Sequence, residues 1–126
     1  MSTTTQKISG FEFEIKNANH AIMTDVGAKE GGQDRGMDPH ALLESALAAC
    51  TAITVTMYAD RKKWPLKDVN VQVKISKEGP QSEIQRQIHF VGDLTAEQHQ
   101  RLVEIANKCP IHNLLESQIH ILTSEN

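Results

Sequence analysis

The chain has 126 residues, a formal charge of -3 and only 4% aromatic residues. That length suits a single domain, residues 1–126, with a core large enough to fold without disulfides or metals. The acidic balance argues against a nucleic-acid surface, which is basic, and the few aromatics argue against base-stacking platforms.

Taken in chain order, the first element is "ISGFEFEI". Phe11, Phe13 and Ile15 alternate with Glu12 and Glu14, the period of a half-buried strand. "HAIMTDVG" is its expected partner, with "KNAN" as the turn between them. "AKEGGQDRGMDP" follows, rich in Gly, Asp and charge, and reads as a mobile loop suited to face a substrate. Asp38-Pro39 then supplies an N-cap and a proline at the first helical position. The spacing predicts a helix from Pro39 to about Lys62, stopping before Pro65. Leu42, Leu43, Ala46, Leu47, Ala49, Cys50, Ile53 and Met57 cover more than one stripe of it. A helix apolar nearly all round is buried on several sides. A chain this small has trouble surrounding it, so a homodimer is expected.

"DVNVQVKISKEG" and "SEIQRQIHFVGDL" read as a hairpin, alternating Val69, Val71, Val73, Ile75 and then Ile84, Ile88, Phe90, with Gly79-Pro80 between. In "LTAEQHQRLVEIANKC", Thr95 with Gln98 is a capping-box signature, and Leu102, Ile105 and Ala106 form one apolar stripe. "CPIHNLLES" restarts as a short helix and "QIHILTS" as a closing strand. The expected order is β-β-α-β-β-α-α-β, an α+β fold with a long buried central helix.

The N-terminal "MSTTTQKISGFEFEIKN" is polar, without the features of an export signal. Glu44, Ser45 and several threonines interrupt the longest apolar run, which therefore reads as no membrane span. A cytoplasmic location is expected. In a reducing compartment a functional pair of cysteines is catalytic or redox-sensing rather than structural. The plainer alternative is two unrelated buried thiols.

Cys109 precedes Pro110, so its sulfur sits at the start of the short helix, where free N–H groups favour a thiolate. His112 is three residues on and can share that face. Cys50 is mid-helix among apolar residues, and to act as a nucleophile it needs a cation and a polar partner from elsewhere. Arg35, Arg61, Lys62 and Arg86 are the candidate cations. Thr51 and Thr54 lie close to it on the helix. Glu44, six residues earlier, is about 120° away around the axis.

"DPHALLESALAACTAITV" followed by "CPIHNLL", with the cysteines 59 positions apart, resembles the OsmC/Ohr family of bacterial thiol peroxidases. These are the osmotically inducible protein C and organic hydroperoxide resistance proteins, and the resemblance spans nearly the whole chain. It implies an OsmC-like fold, an intertwined homodimer with sites at the subunit interface, and no metal or other cofactor. It implies that Cys50 is the peroxidatic cysteine, oxidised to a sulfenic acid by an organic hydroperoxide. Cys109 is then the resolving cysteine, which closes a disulfide that an external dithiol reduces. The best-known members carry Glu directly after the Asn-Pro, and here that position is His40. Arg35 is the candidate thiolate activator by its place in the loop, with Glu44 or His40 as substitutes for the displaced carboxylate. Two other readings are a zinc module built on Cys109-x-x-His112 with Cys50, and a non-catalytic dimer that senses oxidants or binds an apolar ligand.

Overall fold

A computed structural model describes residues 2–126, which divide into two compact units, residues 2–43 and 44–126. In the first, β1 (Thr4–Ser9), β2 (Glu12–Lys16) and β3 (Ala21–Thr24) form an antiparallel sheet in the order β1-β2-β3. "ISGFEFEI" is therefore two strands and not one. Gly10 takes φ +57°, a left-handed conformation that glycine adopts freely, and the chain doubles back there. "KNAN" forms the turn expected of it, since Asn17 Oδ1 accepts from the amides of Asn19 and His20, each at 2.9 Å.

The Gly- and Asp-rich loop is organised by one carboxylate. Asp25 is buried and accepts from Val26 N–H at 2.7 Å and from Gln33 N–H and Arg35 N–H, each at 3.2 Å. Burial pushes its carboxyl up, but these three donors and the Arg35 charge outweigh that and hold it below the usual carboxylate range. The loop is thus pinned around Asp25, with a 3-10 turn at Ala28–Glu30.

The central helix α1 spans Pro39–Lys62, and Asp38 Oδ1 caps it by accepting from Ala41 N–H at 2.8 Å. Its end is a Schellman motif. Trp64 N–H reaches Ala59 O and Lys63 N–H reaches Asp60 O, with Lys63 at φ +60° and Pro65 barring continuation. In the second unit the buried residues of α1 are Leu47, Thr51, Val55 and Ala59, a single i, i+4 stripe. Ile53 and Met57 are 59% and 63% exposed, so one copy of the chain does not surround this helix as its composition suggested. By length and composition α1 is also apolar enough to cross a membrane, and Glu44 and Ser45 do not by themselves exclude it.

Strands β4 (Leu66–Lys77) and β5 (Glu83–Gly92) form the expected antiparallel hairpin, pairing Val69 with Phe90, Val71 with Ile88, Val73 with Arg86 and Ile75 with Ile84. Helix α2 (Ala96–Ala106) starts with the full capping box. Gln98 N–H donates to Thr95 Oγ1 and Thr95 N–H donates to Gln98 Oε1. Its stripe of Leu102, Ile105 and Ala106 joins Val55, Ala59 and Phe90 in the core of this unit. Full burial of a side chain the size of Leu102 contributes roughly 1.5–3 kcal/mol. Helix α3 is Pro110–Leu115.

The closing strand expected at residues 118–124 does not form, and Ile121 and Leu122 are 86% and 94% exposed. Alternation specifies which face of a strand is apolar, but a strand also needs an edge to pair with. No strand of this chain pairs with that segment among the described residues.

Candidate active site

The two cysteines meet at the first turn of α3, inside the second unit. Cys109 is the N-cap of α3. Its sulfur accepts from His112 N–H at 3.3 Å, a position set by the extended backbone that Pro110 imposes on the residue before it. Cys50, from the middle of α1, accepts from the preceding amide, Ile111 N–H, at 3.5 Å. Two sulfurs far apart in sequence thus take successive amides of one helical turn. Both are free thiols; Cys109 is fully buried and Cys50 half-buried.

Next to Cys50 on α1, Thr51 faces Cys109. Its Oγ1 lies 3.8 Å from the Cys109 sulfur, donates to Leu47 O at 2.7 Å, and accepts from Arg86 Nη1 at 3.0 Å. A hydroxyl has one proton, and here it is spent on Leu47 O. What Thr51 offers Cys109 is therefore a lone pair, with the thiol S–H as donor. Arg86 Nη2 also donates to Asn107 Oδ1 at 2.7 Å and lies 3.1 Å from His112 Nδ1. A guanidinium has only donors, so Nδ1 must accept and the His112 ring proton sits on Nε2. That nitrogen faces Glu116 Oε1 at 3.9 Å.

Of the residues singled out in the sequence, Cys50, Cys109, Thr51, Arg86 and His112 come together. Thr54 is half-buried on α1. The Glu44 carboxylate is engaged on the hairpin, where its Oε2 accepts from Ile75 N–H at 2.8 Å. Arg35 and His40 belong to the first unit and are exposed there, with the Arg35 amide held by Asp25. Arg61 and Lys62 lie at the far end of α1, where their charges act on Tyr58. Arg86 carries a sequence signal. In "EIQRQIHF" it takes the place of an apolar residue in the series Ile84, Arg86, Ile88, Phe90, which puts a charge on the inward face of β5.

Among the described residues no group of three or more His, Cys, Asp or Glu side chains is gathered as a metal ion requires. The chemistry this cluster can perform is that of two thiols beside a fixed cation and a hydroxyl.

A family model for OsmC-like proteins matches residues 31–124. No curated protein sequence matches the chain significantly. The structure resembles an OsmC-like protein from Mycoplasma pneumoniae, with a TM-score of 0.78, 21% identity, and 91% of this chain and 86% of that one covered. It also resembles an organic hydroperoxide resistance protein from Elizabethkingia anophelis, with a TM-score of 0.69, 20% identity, and coverage of 92% and 89%. A third likeness is to an organic hydroperoxide resistance protein from Legionella pneumophila, with a TM-score of 0.62, 20% identity, and coverage of 92% and 90%. At these identities the likeness concerns the fold, and it covers nearly the whole of each chain.

Proposed function

The chain belongs to the OsmC-like protein family, and we propose that it acts there as a thiol-dependent peroxidase of organic hydroperoxides. The observation that carries this reading is the meeting of Cys50 and Cys109 on successive amides of α3. In the proposed cycle Cys50, the more accessible sulfur, attacks the terminal oxygen of the hydroperoxide. An S–O bond forms, the O–O bond breaks, and the alkoxide takes a proton and leaves as the alcohol. Cys109 then condenses with the Cys50 sulfenic acid, releasing water and forming a disulfide. An external dithiol restores both thiols by exchange.

The chain works as a homodimer in this proposal. The exposed Ile53 and Met57 on α1 and the exposed Ile121 and Leu122 of the C-terminal segment support a second copy as their cover. The same apolar surround favours a fatty or aromatic hydroperoxide over hydrogen peroxide. Arg35, His40 and Glu44 stay candidates for activating Cys50 within the assembled dimer.

The test is intact mass and thiol counting after one equivalent of cumene hydroperoxide, on wild type, Cys50→Ser and Cys109→Ser. Wild type is expected to lose two hydrogens, Cys109→Ser to hold a sulfenic acid that dimedone traps, and Cys50→Ser to remain unreacted. Retention of both thiols in wild type under excess hydroperoxide would sink the peroxidase reading. Oxidation that stops after one equivalent, even with dithiothreitol present, would make the protein an oxidant sensor instead.

A further inference from the structure

We propose that Arg86 is the positioning cation of the thiol pair, acting on Cys109 through the Thr51 hydroxyl to speed disulfide closure. The assignment rests on the peroxidase reading above. It starts from a misfit. Strand β5 turns Ile84, Arg86, Ile88 and Phe90 to the inner face, where half-burying a charge carries a desolvation cost. The guanidinium there is held at three points, by Thr51 Oγ1, Asn107 Oδ1 and His112 Nδ1. These acceptors come from α1, from the end of α2 and from α3. All three are neutral, so they fix the guanidinium in place without cancelling its charge.

That charge lies one hydroxyl away from the Cys109 sulfur, while Cys50 takes its hydrogen bond from Ile111 N–H. Its effect therefore belongs to the second step. In closure the Cys109 sulfur attacks the sulfenic sulfur of Cys50. The S–S bond forms, the S–O bond breaks, and the thiol proton leaves with the hydroxide as water. The Cys109 sulfur is oxidised by one electron equivalent and the Cys50 sulfur is reduced by one. Negative charge develops on Cys109 as its proton departs. Thr51, turning its own proton from Leu47 O towards the sulfur, transmits the Arg86 field to that charge.

The test compares wild type with Arg86→Met, Arg86→Lys and Thr51→Val, following closure by intact mass in two ways. With cumene hydroperoxide, the readout is the ratio of the closure rate to the rate of sulfenic-acid formation. With diamide, closure needs no peroxidase activity, since the reagent couples to one thiol and is displaced as the hydrazine by the other. Arg86→Met and Thr51→Val are expected to lower the ratio, and the diamide closure rate, by about tenfold or more. Arg86→Lys, which keeps the charge, recovers most of the loss. Unchanged closure in Arg86→Met would overturn the proposal. So would an Arg86→Lys variant no faster than Arg86→Met, because a purely structural role needs the guanidinium's shape and not its charge. If wild type closes with diamide but is untouched by cumene hydroperoxide, the peroxidase reading fails alone and the diamide series still decides the role of Arg86.

Discussion

Arg86 Nη1 and Thr51 Oγ1 meet at 3.0 Å, joining the inner face of strand β5 to the helix that carries Cys50. The contact lies behind the thiol pair and decides what Thr51 presents to Cys109. With one partner supplying a proton and another taking one, the hydroxyl has only a lone pair left for the sulfur. Two long-range contacts, Arg86 to Thr51 and Glu44 to Ile75, thus tie α1 to the β4–β5 hairpin at polar points, in addition to the apolar core.

Glu44 gives a stability prediction. Its carboxylate satisfies the Ile75 amide, which lies on the strand edge away from the β5 pairing, through a charge-assisted bond. Glu44→Ala is expected to lower the unfolding free energy by about 1–2 kcal/mol, and Glu44→Gln by less because its carbonyl still accepts. Urea denaturation of the two variants checks this. Equal losses in both would mean that the carboxylate's charge, and not its place as acceptor, sets the effect.

Asp25 gives a pH dependence. Its carboxyl is held below the usual value, so its contribution is fully present above about pH 4 and is lost as pH falls through the lower folded value. Amide exchange at Val26, Gln33 and Arg35, corrected for intrinsic rates, is expected to accelerate selectively as pH drops from 5 towards 2. In Asp25→Ala, which leaves no acceptor at this position, the three amides are expected to be unprotected throughout. Protection that survives in Asp25→Ala would show that the loop does not depend on the carboxylate.

Tyr58 is the chain's one tyrosine, so tyrosinate absorbance near 295 nm reports it alone. Arg101 Nε donates to its hydroxyl at 3.0 Å, and that bond, with the charges of Arg101, Lys62 and Arg61, lowers its pKa against the opposing effect of burial. The titration midpoint is expected below 10 in wild type and closer to 10 in Arg101→Gln. Because the folded value is the depressed one, this contribution to stability appears as pH rises through that value and is complete above the unfolded one. A midpoint indifferent to Arg101→Gln would remove the hydrogen bond as the cause.

Much of the fold was legible because its signals are local. Asp38-Pro39 and Pro65 bracket α1, Thr95 with Gln98 starts α2, and the alternating valines mark β4; the capping atoms and strand registers follow from short-range chemistry. The same local reading missed Gly10, whose left-handed turn divides one alternating run into two strands. It also misjudged residues 118–124, where alternation was present without a partner edge. At the candidate site the two cysteines were legible from their motifs, but their shared helical turn was not.

The sequence by itself determined where α1 begins and ends, where α2 and α3 start, where the β4–β5 hairpin lies and which residues bear thiols, since capping, proline geometry and side-chain periodicity act within a few residues. Tertiary structure alone decided that Arg86, and not one of the other cations, stands behind Thr51 and Cys109, and that Glu44 turns to Ile75. Those pairings link residues more than thirty positions apart. They depend on how the hairpin lies against α1, and no local propensity carries that information.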